Sequence, residues 1–273
     1  MYTQSHRFGK VKVLSAFPSP RPDQTSLRWI VAALTMLLAS CSDVLGNDVD
    51  PSSAATRAAM AYTTQRTSWV QAPSNSVEAW KFARAAFDWS GFATNRSSRA
   101  AIAELGITAC RQALSLGTSA PVRYYLALNL GRVAETRGLS ALDLIHEMER
   151  ELLAARALDE TFDHAGADRT LGLLYRDAPG WPVSLGNWDK ARHHLEAAVR
   201  IDGDFPENRL ALAELYVRIH QKPLLTNELH SLDLLWEPAR KRWNGIEWSD
   251  TWKEWELRRH KLGPTSSPTP PPP

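Results

Sequence analysis

The sequence predicts an all-α fold of stacked antiparallel helix pairs, and three observations carry that prediction. Apolar residues recur at intervals of three and four along most of residues 53–262. No stretch shows the two-residue alternation of a half-buried strand. A closing motif also recurs: Ala113-Leu-Ser-Leu116-Gly-Thr, Ala155-Arg-Ala-Leu158-Asp-Glu and Ala198-Val-Arg-Ile201-Asp-Gly align without gaps, their alanines 42 and 43 residues apart. A repeat of that length holds one helix pair that cannot bury its apolar face alone, so neighbouring pairs must stack.

Residues 1–27 have no helical period and carry Pro18, Pro20 and Pro22, which argue against regular structure. Arg28 then precedes the apolar run Trp29–Leu38, which ends in Leu38-Ala39-Ser40-Cys41. About ten apolar residues fall short of the ~20 needed to span a bilayer. A positive charge, a short apolar core and small residues before a cut are the secretory-signal pattern. Leu38-Ala39-Ser40-Cys41 further resembles the lipobox of bacterial lipoproteins, which implies cleavage before Cys41, lipidation of that cysteine and a membrane anchor on the periplasmic side. Several acyl chains anchor stably where one does not. Ser42, in place of aspartate after the cysteine, resembles lipoproteins sent to the outer membrane. The leader before Arg28 is long for such a signal, which suggests a translation start downstream of Met1. The expected organisation is thus a leader and signal at 1–40, a lipidated tether at 41–52, the helical-repeat domain at 53–262 and a Pro-rich tail at 263–273.

Within the domain, helices are predicted over 53–72, 76–90 (opening at Asn75-Ser76), 99–116, 120–136, 139–159, 164–177, 188–202, 206–220, 224–243 and 247–261. Helix 139–159 sets Ile145, Met148, Leu152 and Ala155 on one stripe, and helix 188–202 does the same with Ala191, Leu195, Ala198 and Ile201. The stretch 168–216 is the clearest pair. Leu171, Gly172 and Tyr175, then Ala191, Leu195 and Ala198, fill the positions of a tetratricopeptide unit, and Leu212, Ala213 and Tyr216 begin the next one. Small Gly172 and Ala213 are expected to admit a neighbouring backbone, with the tyrosines filling the space beyond. Trp248, Trp252 and Trp255 share a face of the last helix, which reads either as a cap over the exposed end of the stack or as a binding surface. Residues 264–273 contain nothing but Pro, Ser and Thr, a low-complexity composition that cannot build a core.

Charge excludes one partner class. Of 32 basic and 30 acidic residues, five and one lie in residues 1–40, leaving 27 basic and 29 acidic, a net of −2. No basic field remains to attract nucleic acid. Two cysteines, Cys41 and Cys110, make no disulfide framework, and Cys110 occupies a core slot.

Catalytic and metal chemistry find little support. His193 and His194 are adjacent, so on a helix they point about 100° apart and do not converge on a metal. Both read as solvated surface residues. Asp163 reads as a helix cap. A hydrolase built on Asp163, His164 and His193 is the enzymatic alternative, but no nucleophile elbow accompanies them. No cofactor and no metal are expected.

Binding residues are easier to nominate. Tetratricopeptide register places Lys81, Asp88, Tyr125, Asn129, Arg132, Arg169, Arg176, Asp177, Glu214 and Arg218 on the concave groove. Arg132, Arg169 and Arg176 either converge on a carboxylate, which arginine grips with paired hydrogen bonds, or pair with Asp177, Glu214 and neighbouring acids. In Ala178-Pro179-Gly180-Trp181-Pro182, two prolines fix the backbone around Trp181. That ring either plugs the fold or anchors a partner.

Arg176-Asp177-Ala178-Pro179-Gly180-Trp181-Pro182, Lys190-Ala191, Leu195-Glu196 and Phe205-Pro206-Glu207-Asn208 through Ala213-Glu214 resemble the T component of tripartite ATP-independent periplasmic (TRAP) transporters. The resemblance covers residues 75–220. It implies a non-catalytic lipid-anchored scaffold that binds a protein partner, the solute-binding subunit of an organic-acid importer being the candidate, with homo-oligomers allowed. The alternative is an envelope-assembly scaffold unrelated to transport, which gene neighbourhood would distinguish.

Overall fold

The computed structural model describes residues 53–180 and 184–263. The signal and tether with Cys41, the loop residues 181–183 and the Pro-rich tail from 264 lie outside them. Among these residues ten α-helices occur in order: α1 (Ala54–Gln71), α2 (Ser76–Ser90), α3 (Arg96–Leu114), α4 (Ala120–Arg137), α5 (Leu142–Leu158), α6 (Phe162–Asp177), α7 (Trp188–Ile201), α8 (Pro206–Arg218), α9 (Lys222–Arg242) and α10 (Ser249–Lys261). Among the described residues there is no strand, and the fold is all-α.

Local chemistry sets the boundaries. Ser53, Asn75, Asn95 and Asn187 each accept a backbone N–H from the first turn of α1, α2, α3 and α7, at 2.8 to 3.2 Å. Such side chains satisfy donors that a helix start otherwise leaves bare. Asn95 therefore starts α3 three residues earlier than its apolar period suggests. Pro206 and Pro223 stand in the first turns of α8 and α9, where a missing N–H costs nothing.

Each of α1 to α8 packs on the helix that follows it, and α9 meets α10 through the Trp236–Trp252 ring contact and the Asp233–Arg259 pair. In addition α2, α4, α6, α8 and α10 touch in succession, which is consistent with stacked pairs whose first helices form one layer. Gly172 is where α6 meets α7: a Cβ there would lie 2.5 Å from Leu195 Cγ. Beyond it, Tyr175 donates to Glu149 on α5, and Tyr216 donates to Glu196 on α7 at 3.1 Å. Each tyrosine thus ties a first helix to the second helix of the preceding pair.

Among the described residues the core forms two clusters. One runs from Ala79 through the Ala- and Leu-rich stripes of α3 to α8, with Ile145, Met148, Leu152, Ala155 and Cys110 inside it. The other gathers Trp243, Trp248, Trp252 and Trp255 around Phe205, Leu210 and Leu232. Trp252 and Trp255 donate their indole N–H groups to the Trp243 carbonyl and to Glu207, both at 2.6 Å. Their burial fits a cap.

The start of α6 departs from expectation. Asp163, His164 and Ala165 adopt φ of 53°, 57° and 59°, three left-handed residues before the right-handed helix begins. Each costs roughly 1–2 kcal/mol for a residue with a Cβ. The turn is held from outside. Arg169 donates to the carbonyls of His164 and Asp163 at 2.8 and 3.1 Å, and Asn208 donates to the His164 carbonyl at 3.0 Å. The Asp163 carboxylate accepts from Tyr124 and Arg169 in place of the capping role expected of it.

At the largest scale, Arg57 of α1 reaches Asp250 of α10 at 3.3 Å across 193 residues of sequence. The array therefore bends far enough for its first and last helices to meet. No helix among the described residues is long and apolar enough to cross a membrane.

Candidate functional site

The nominated groove residues separate into two groups. Tyr125, Asn129, Arg132 and Arg169 are buried, at 1%, 0%, 4% and 1% exposure, so they do not line an open surface. Asn129 donates to the Ala83 and Tyr125 carbonyls at 2.9 and 2.8 Å, bridging α2 and α4. Arg132 lies 4.3 Å over the Phe87 ring and pairs with Glu135. Arg169 pairs with Asp163 and donates to Asn208. Burial of long polar side chains requires such partners, and register alone could not foresee it.

The three arginines do not converge. Arg176 makes paired hydrogen bonds to Asp177 at 2.9 and 2.7 Å and a third to Glu214 at 3.1 Å. Arg218 reaches Asp177 at 3.2 Å. Arg258, which sequence reasoning missed, joins Glu214 and Glu207, both at 2.6 Å. The result is a ladder of alternating charges across the ends of α6, α8 and α10. Burial works against the Glu214 charge, yet Arg258 and Arg176 outweigh it and hold the carboxyl below the usual glutamate range. Burial likewise opposes the Arg258 charge, and the two glutamates overcome it. Lys81 pairs with Glu78 and Arg84 with Asp88, both within α2.

The loop from Ala178 to Asn187 starts where this ladder ends. Its base is closed by backbone bonds: the Gly186 N–H donates to the Pro179 carbonyl at 2.8 Å, and Asn187 donates to Tyr175 at 2.9 Å. A Cβ at Gly186 would lie 2.2 Å from the Ala178 carbonyl oxygen, so glycine alone fits. Trp181 lies outside the described residues. Trp188, next along the chain, leaves 49% of its surface exposed at the first turn of α7. For a tryptophan that is unusual. Its position beside the loop is a feature the sequence reading passed over.

The histidines also sort themselves. His193 is exposed, as expected. His194 is buried at 7% exposure and its Nδ1 lies 2.7 Å from Asp168, which corrects the reading of both as solvated. Asp168 also accepts two bonds from Arg156 at 2.9 and 2.8 Å. Burial raises the Asp168 carboxyl, but the His194 and Arg156 hydrogen bonds override it and leave it below the ordinary aspartate value. His164 turns its Nδ1 to Asp202 at 2.6 Å and stacks on Phe205 at 4.2 Å. The side chains of Asp163, His164 and His193 therefore turn to different partners. Burial raises the Cys110 thiol, in keeping with a core position. Among the described residues no group of three or more His, Cys, Asp or Glu side chains is placed to hold a metal ion.

Comparison of the chain with protein-family models and with curated proteins finds no match.

Proposed function

We propose that this chain is a non-catalytic periplasmic lipoprotein, tethered through Cys41, whose stacked helix pairs hold out a loop with a closed base for a protein partner. The observation that carries the reading is the closed base of the 178–187 loop. A loop base pinned by backbone bonds at a glycine-only position has less freedom to lose on binding. It stands between an exposed Trp188 and a charge ladder whose members already satisfy one another. Aromatic anchors on rigid supports are what binding hot spots are made of. The resemblance to TRAP T components supplies the partner, a periplasmic solute-binding subunit of an organic-acid importer.

Direct binding between the purified chain and the TRAP solute-binding subunits of its own genome tests this. Trp188→Ala is expected to weaken capture by tenfold or more, and Gly186→Ala to do so by forcing the loop open, while helicity by circular dichroism stays unchanged. Capture by none of those subunits removes the importer reading; capture indifferent to both substitutions removes the loop as the site. Cys41→Ser is expected to shift the protein from the membrane to the soluble periplasmic fraction, and continued membrane attachment would end the anchor assignment.

A further inference from the structure

A second surface lies at the C-terminal end of the array. Each of α2, α4, α6 and α8 is followed by a second helix, whereas none follows α10 among the described residues. Between α9 and α10 a groove of about 620 Å³ stays open, lined by Asp233, Trp236 and Glu237 on one side and Glu256, Arg259 and His260 on the other, with Gly263 at its end. Trp236 is half-buried, its ring set edge-on against Trp252 at 5.4 Å. The indoles of Trp252 and Trp255 each have an acceptor. That of Trp236 has none among the described residues.

The chain leaves the described structure at this groove. Gly263 takes φ of 86°, the left-handed conformation that ends helices and turns the chain aside. Its carbonyl accepts a hydrogen bond from Arg259 at 2.7 Å, and Arg259 is itself held by Asp233 at 2.7 Å. The exit of the chain is thus fixed to the groove wall by two linked contacts.

We infer that the groove is a binding site for an extended proline-rich segment, and that its occupant is the chain's own continuation, Pro264-Thr-Ser-Ser-Pro-Thr-Pro-Pro-Pro-Pro273. A polyproline II segment has no internal hydrogen bonds, so its carbonyls need outside donors, and it docks on aromatic side chains. Trp236 supplies both the ring and a donor. The segment carries no charged side chain, so it meets no repulsion from Asp233, Glu237 or Glu256. Length is sufficient. From Glu256 to Gly263 the groove runs roughly 10 Å along the α10 axis. Ten residues at about 3.1 Å each cover three times that. Because the segment is covalently attached, its effective concentration reaches the millimolar range. Weak intrinsic affinity therefore suffices.

The test uses the full chain labelled with 5-fluorotryptophan, in which Trp236 is assigned from a Trp236→Phe variant. Ending the chain at Gly263 is expected to shift the Trp236 ¹⁹F resonance, and a synthetic peptide of residues 264–273 to restore it saturably. In the ¹⁵N-labelled full chain, the Thr265 order parameter is expected above about 0.6, and Trp236→Ala to drop it below that value. A Trp236 resonance that ignores both truncation and peptide overturns the proposal. A shift that appears in the full chain at high protein concentration and vanishes on dilution also overturns it, since the occupant is then another copy's tail.

Discussion

Asp168 shows how much one buried carboxylate can hold. It has no exposed side-chain surface, and it satisfies Arg156 from α5 and His194 from α7 while itself sitting on α6. Hydrogen bonds to charged groups contribute about 1.5–3 kcal/mol each, discounted here because Arg156 is one-third exposed. Asp168→Asn keeps the shape and removes the charge, so a loss of about 2 kcal/mol at pH 7 is expected by urea unfolding. The pH dependence follows from direction. A carboxyl held below its ordinary value of about 3.9 stabilises the fold above that pH, and the contribution disappears as pH falls through the lower folded value. The difference between wild type and Asp168→Asn should shrink below about pH 4; a gap that stays constant to pH 3 would show that the charge is not what matters. Asp168 was legible in principle, since it shares a stripe with Leu171 and Tyr175 three and seven residues on. The left-handed turn at Asp163, His164 and Ala165 was not, because the groups that hold it, Arg169 and Asn208, act on its backbone through tertiary contacts.

Helices were easier to read than the polar contacts between them. Periodicity is a property of one segment, and every predicted helix appears within a few residues of its expected place, with Asn75 and Pro206 marking starts the sequence itself announces. Which arginine meets which acid depends on how two helices approach, and no single segment contains that information. The junction of α8 and α10 illustrates the cost of such contacts. Arg258 lies between Glu207 and Glu214, and Glu207 is also the acceptor for Trp255. Removing one partner of a buried pair leaves an uncompensated charge and costs about 3–5 kcal/mol. Arg258→Met should show a loss of that size in urea. Adding Glu207→Gln should recover at least about 1 kcal/mol, because a neutral amide can still accept from Trp255 and no charge is stranded. A double variant no better than the single would mean that Arg258 acts through packing of its stem.

The molecule as a whole raises the question of how far cooperativity extends along the stack. In repeat arrays stability is close to a sum of local and nearest-neighbour terms. Two features here pull in opposite directions. The core divides into two clusters, with Leu225 packed against both, which favours independent behaviour of the C-terminal end. The Arg57–Asp250 contact joins the two ends directly. That pair is 28% and 21% exposed, and partly solvated pairs of this kind contribute up to about 1 kcal/mol. The tryptophan cluster buries several large rings, each worth about 1.5–3 kcal/mol or more. Nearest-neighbour packing therefore outweighs end-to-end closure. Ending the chain after Asn244 removes Trp248, Trp252 and Trp255 and bares Phe205 and Trp243. Amide exchange in α8 and α9 should accelerate more than a hundredfold, while protection in α2 to α5 changes less than tenfold, a difference below about 1.4 kcal/mol. Uniform loss of protection from α2 to α9 would instead mean that the bent array unfolds as one unit and that contact between its ends carries more than the packing within it.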